Sequence, residues 1–75
     1  MKKLKPPFKF QIGKCYKVRA FDAKYLYRIE VLKLWADGAP HGNFKAYCKD
    51  TNRYSPIIKG GSFSEITEAI EIPNL

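Results

Sequence analysis

The chain has 75 residues, 45% hydrophobic and 15% aromatic, with 14 Lys and Arg against 7 Asp and Glu, a formal charge of +7. A chain of this length makes one domain and buries roughly 60% of its unfolded surface, which leaves no room for a core plus a large catalytic cleft. Its longest apolar runs, such as Leu34-Trp35-Ala36, fall far short of the ~20 residues a membrane-spanning helix needs. The basic start also lacks the apolar stretch of a secretory signal, so a cytoplasmic protein without membrane contact is expected.

The charge is uneven. Met1–Arg19 holds seven bases (Lys2, Lys3, Lys5, Lys9, Lys14, Lys17, Arg19) and no acid, whereas Glu65, Glu68 and Glu71 are the only charges in the last sixteen residues. Such polarity predicts two surfaces of different sign or a pairing of the chain ends. Cys15 and Cys48 are too few for a disulfide framework and read as reduced thiols, a single disulfide being the alternative.

In chain order, residues 1–9 read as a basic, mobile arm, because Pro6-Pro7 is extended and donates no backbone hydrogen bond. Residues 10–75 form the domain, with Phe8 or Phe10 anchoring the arm. Cys15–Phe21 alternates, with Tyr16, Val18 and Ala20 on one face and Lys17 and Arg19 on the other, as a half-buried strand does. Tyr25–Trp35 reads as a second, longer strand in which Tyr27, Ile29 and Val31 alternate. A helix competes there, because Tyr27, Val31 and Leu34 are also three or four apart; the β-branched and Tyr content favours strand. The apolar phase switches at adjacent Val31 and Leu32, which predicts a bulge near Leu32.

Asp37–Asn43 carries two Gly, a Pro and an Asn and reads as a loop. A third strand follows over Phe44–Lys49, with Lys45, Tyr47 and Lys49 facing outward. The fourth, Tyr54–Lys59, is demoted by Pro56 to an edge or to a strand start, and Gly60-Gly61 should break the chain. Ser62-x-x-Glu65 has capping-box spacing and Phe63, Ile66 and Ile70 follow helical spacing, which predicts a helical turn over Ser64–Glu68 before a closing strand at Ala69–Ile72; a strand competes, because Ile66, Ile70 and Ile72 also alternate.

Four or five short strands in so short a chain predict a mainly β fold, a small antiparallel SH3-like barrel with a short C-terminal helical turn; an OB-like barrel fits the length less well. Trp35-Ala36-Asp37-Gly38 followed by Phe44-Lys45-Ala46-Tyr47 resembles the strand-turn-strand pattern of Tudor-type barrels. The intervening loop is longer than that pattern's tight turn, and no ligand-cage residue follows from the resemblance.

Few chemistries are open to these residues. One His and two distant Cys give no metal-ligand cluster, so no metal and no cofactor are expected. Lys59-Gly60-Gly61-Ser62 lacks P-loop spacing. His41, between flexible glycines, is a poor general base for Cys15 or Cys48, so no catalytic residue is assigned and the chain does not read as an enzyme. What remains is cations interleaved with aromatics: Lys17, Arg19, Arg28, Lys45, Tyr47, Lys49, Arg53 and Tyr54, a set suited to phosphates and base stacking in DNA or RNA. Glu30 shares the phase of Arg28 and weakens the stripe, and a merely solvated face is the bland reading. The alternative is a protein-interaction module, an accessory subunit or small inhibitor that docks on a larger protein through Tyr25, Trp35, Tyr54 and Phe63.

Overall fold

The computed structural model describes residues 2–20 and 26–75. Its elements are all strands: β1 (Lys2–Lys3), β2 (Cys15–Ala20), β3 (Leu26–Leu34), β4 (Pro40–Cys48), β5 (Arg53–Tyr54), β6 (Ile58–Ser62) and β7 (Ile66–Ile72). They form one antiparallel sheet in the order β1-β7-β2-β3-β4-β5, with β6 also on β4. No helix occurs among the described residues, and none is long and apolar enough to cross a membrane.

The sheet does not close, which corrects the expected SH3-like barrel. No pairing joins the β1–β7 end of the sheet to β5 or β6 at the other end, and β1 lies on the outer edge of β7 through Lys2↔Glu71 and Lys3↔Ile70. Leu4 N–H then donates to Ala69 O at 2.9 Å. The start of the basic segment therefore runs along the acidic last strand, and Leu4 and Phe8 pack against the core. Both edges end in very short strands bearing Lys2, Lys3 or Arg53, a composition that discourages further strand pairing.

β2 alternates as its sequence requires: Tyr16, Val18 and Ala20 are each about 1% exposed. With Ile29 and Val31 of β3 and Ala69 of β7 they line one face of the sheet, and Phe10 and Phe63 close over it. Phe10 meets Tyr16 edge-on at 5.0 Å, while the Tyr16 hydroxyl accepts from Gln11 N–H at 3.0 Å. Phe63, between β6 and β7, sits 5.0 Å from both the Tyr27 and the Phe44 rings.

Three bulges shape the sheet. The β3–β4 register slips between Val31 and Lys33, leaving Leu32 as the extra residue at the position where the apolar phase changes. Gly42 lies opposite: a Cβ there would stand 1.9 Å from Glu30 O, so the bulged backbone approaches too closely for any side chain. On β6, Lys59 and Gly60 together face Asn43, with Gly60 at φ +79°. On β7 the extra residue is Thr67, between Glu68↔Arg19 and Ile66↔Ala20.

The expected helical turn at the C-terminal end is replaced by a bulged strand. Ser64–Glu68 is not a helical turn, because Glu65 takes φ +54° and β7 begins at Ile66. Ile66 and Ala69 face the core three residues apart because Thr67 is an insertion, which reproduces helical spacing inside a strand. The expected 37–43 loop is likewise short. Gly38 N–H donates to Trp35 O at 2.8 Å and Trp35 N–H to Ala39 O at 2.9 Å, closing a tight hairpin with Gly38 at φ +88°. β4 can therefore start at Pro40, whose carbonyl accepts from Phe63 N–H at 3.0 Å where β6 has already ended. The expected Tyr54–Lys59 strand is split at Pro56: β5 pairs with Tyr47 and Cys48, and β6 pairs further up β4. Gly60 and Gly61 lie inside β6 and do not break the chain, Gly61 being overlain by the Phe44 ring.

Candidate nucleic-acid interface

The face opposite the core is built by register. Lys17 of β2 lies beside Arg28 of β3, and Arg28 beside Lys45 of β4, so three cations stand abreast on neighbouring strands. One level along, Cys15, Glu30 and Asn43 stand abreast in the same way. Glu30 therefore flanks the cationic row without interrupting it. Among the described residues no carboxylate forms an ion pair with Lys17, Arg28 or Lys45; the pairs found are Lys14–Glu71 at 3.4 Å and Arg19–Glu68 at 3.9 Å.

The aromatic part lies at the end of β4. Tyr47 and Tyr54 are cross-strand partners with ring centroids 5.1 Å apart. The Tyr47 hydroxyl donates to Asn52 Oδ1, and Asn52 turns the chain at φ +56°. The Arg28 guanidinium carbon lies 4.6 Å from the Tyr54 ring centre, a cation–π contact that fixes the guanidinium while its Nε has no hydrogen-bond partner. Strand β5 is held by Ser55, whose N–H donates to Ala46 O at 2.8 Å and whose Oγ accepts from Ala46 N–H at 3.0 Å.

Of the residues chosen from sequence, Lys17, Arg19, Arg28, Lys45, Tyr47 and Tyr54 share this face. Arg19 is the weakest member, since Glu68 lies beside it. Lys49 falls in the exposed turn after β4. Arg53 is opposite Cys48, in the alternate phase from Tyr54, and so points to the other side. In the alternative protein-docking set, Phe63 is only 3% exposed and belongs to the core. Tyr25 lies outside the described residues.

A second cluster was not assembled by sequence reading. Trp35 Nε1–H donates to Ser62 Oγ at 2.9 Å, and His41 Nδ1 is 2.6 Å from the same oxygen. The Trp35 and His41 rings meet edge-on at 5.3 Å, and Lys33 Nζ lies 4.4 Å from the Trp35 ring centre. The missing signal was the hairpin: with residues 37–43 read as a loop, nothing placed His41 opposite Lys33. Among the described residues no cluster of His, Cys, Asp and Glu can hold a metal ion.

The two free thiols differ in environment. Burial raises the Cys15 pKa, with Glu30 adding to the rise and a Leu75 backbone hydrogen bond opposing it. Hydrogen bonds from the Thr51 backbone and hydroxyl, then from the Asp50 backbone, lower that of Cys48. The thiolate is the nucleophile, so a lowered pKa populates the reactive form at lower pH. Iodoacetamide is expected to alkylate Cys48 well before Cys15, with a pH–rate midpoint below the ordinary thiol value, as followed by peptide mass spectrometry. Equal rates at the two sites would contradict this assignment.

Comparisons with protein-family models, curated proteins and solved structures give no match.

Proposed function

We propose that the protein is a small basic binding module for nucleic acid, without catalytic role or cofactor. Phosphates lie on the Lys17–Arg28–Lys45 row and a base rests against Tyr47 and Tyr54. One observation supports this reading most: three like charges stand directly abreast, and among the described residues none of the three forms an ion pair with a carboxylate. Like charges directly opposite on neighbouring strands destabilise a sheet, and a polyanion turns that cost into affinity.

The Ser62–His41 contact supports binding rather than catalysis. A hydrogen-bonded Ser–His pair is the usual start of nucleophile activation, and here the same Ser62 oxygen also accepts from Trp35 Nε1–H. Among the described residues no third group orients His41.

The test is binding of labelled single- and double-stranded DNA and RNA across a salt series. With three phosphate contacts, log affinity is expected to fall against log salt with a slope of about −2 to −3. Absence of binding to every oligonucleotide at low salt would overturn the reading. A protein partner is the second reading, favoured by Ile57 and Ile58, 53% and 43% exposed at the β6 edge. Capture of a protein by this edge, undisturbed by added polynucleotide, would support it.

A further inference from the structure

β4 keeps one phase from Pro40 to Cys48. Pro40 and Gly42 are buried, Phe44 packs on the core, and Ala46 pairs with core-facing Tyr27. His41, Asn43, Lys45 and Tyr47 therefore line the opposite side. From His41 to Tyr47 is six residues, or about 20 Å at ~3.3 Å per residue. Each end of this line has an aromatic pair, Tyr47 with Tyr54 and His41 with Trp35, and Lys45 and Arg28 stand between them.

The far pair is built to present a ring. Trp35 is 42% exposed, and its indole is tied to Ser62 by Nε1. Lys33, over the ring, is a point charge on a flexible stem that can move to a phosphate. Between the ends, Glu30 repels a phosphate at the level where Asn43 offers an amide to a base edge.

We infer that the ligand is a single-stranded polynucleotide laid along β4, with one base at Tyr47–Tyr54 and another at Trp35–His41. This rests on the nucleic-acid reading above and narrows it. Aromatic rings reach bases that are unstacked, as in single strands, and not those inside a duplex. Duplex readout through the major groove needs a helix or a free two-stranded ribbon. No helix is present among the described residues, and the β3–β4 ribbon is flanked by β2 on one side and β5 and β6 on the other. The span suits about four nucleotides, the lower end of single-strand site sizes.

Trp35 is the chain's single tryptophan, so its emission reports on one end of the track. The experiment titrates the protein with oligo(dT), oligo(U) and a mixed-sequence duplex, reading Trp emission and the anisotropy of labelled ligand at one low salt concentration. Single strands are expected to bind more tightly than the duplex and to quench Trp35 over the same concentration range. Trp35→Ala should lose five- to a hundredfold in affinity for the single strands; the quenching itself needs no variant, so it decides even if that one misfolds. The DNA and RNA arms distinguish which polymer is preferred. Duplex binding as tight as single-strand binding overturns the inference and leaves the broader reading standing. Single-strand binding with unchanged Trp emission overturns the track along β4. No binding in any arm overturns both.

Discussion

Gly42→Ala is expected to destabilise the domain by about 3 kcal/mol or more. The added Cβ would meet Glu30 O at 1.9 Å, and Glu30 C and Leu32 N at 3.0 Å. All three are backbone atoms flanking the Leu32 bulge, so relief requires β3 and β4 to separate. Side chains rotate away from an overlap of this kind, whereas a hydrogen-bonded backbone cannot. A domain of 75 residues has a total stability of roughly 4–11 kcal/mol, so the loss is a large fraction of it. Two glycines calibrate the result. Gly61→Ala meets the Phe44 ring at 2.4 Å, a side chain that can yield, and should cost less. Gly38→Ala meets nothing within 4 Å and suffers only from its φ of +88°, worth about 1–2 kcal/mol. Urea denaturation midpoints should fall in the order Gly38, Gly61, Gly42, from mildest to most severe. An unchanged midpoint for Gly42→Ala would place the bulge elsewhere.

Replacing Lys17 and Lys45 together by Gln should move binding and stability in opposite directions. For single strands each phosphate contact contributes about 0.7 to the slope of log affinity against log salt. At ~0.1 M salt, two lost contacts amount to about 25-fold in affinity and flatten the slope by about 1.4. Charge reversal to Glu should exceed both. The fold, in contrast, is relieved of the Lys17–Arg28 and Arg28–Lys45 juxtapositions, each worth roughly 0.2–1 kcal/mol. A domain of this size gains several degrees in Tm per kcal/mol. A row that serves only solubility predicts the rise in Tm without the loss of binding, so measuring both on one variant separates the explanations. Reversing Arg19 instead should matter less, because Glu68 already offsets its charge.

Alternation carried the reading of the binding face. In β2 the polar and apolar residues alternate strictly, so Lys17 and Arg19 could be assigned to the outer face before any partner strand was known. The adjacent apolar pair Val31-Leu32 located the bulge in the same way. Both signals are local, because a pleated strand turns successive side chains to opposite faces whatever lies beside it. The failures came where local signals imitate one another. Ser62-x-x-Glu65 has the spacing of a helix cap, yet Glu65 at φ +54° leads into a bulged strand. The Gly, Pro and Asn of residues 37–43 suit a long loop equally with a tight hairpin entering a glycine-bearing strand. Arg53 and Tyr54 are adjacent in sequence, yet successive residues of a strand point to opposite faces.

A short chain with an excess of seven positive charges is thus resolved into strands, faces and a charge asymmetry by its sequence alone, because these follow from pleat geometry and composition. Which cations meet does not. Lys17, Arg28 and Lys45 are separated along the chain and share a row only through two antiparallel registers. Those registers depend on the hairpin at Gly38, the Leu32 bulge and the room left by Gly42. A slip of one residue would turn every one of these side chains to the other face. The open sheet is likewise a tertiary outcome, since no pairing joins its β1–β7 end to β5 or β6. Cross-strand packing and backbone clearance, which no single segment encodes, decide where the positive charge gathers.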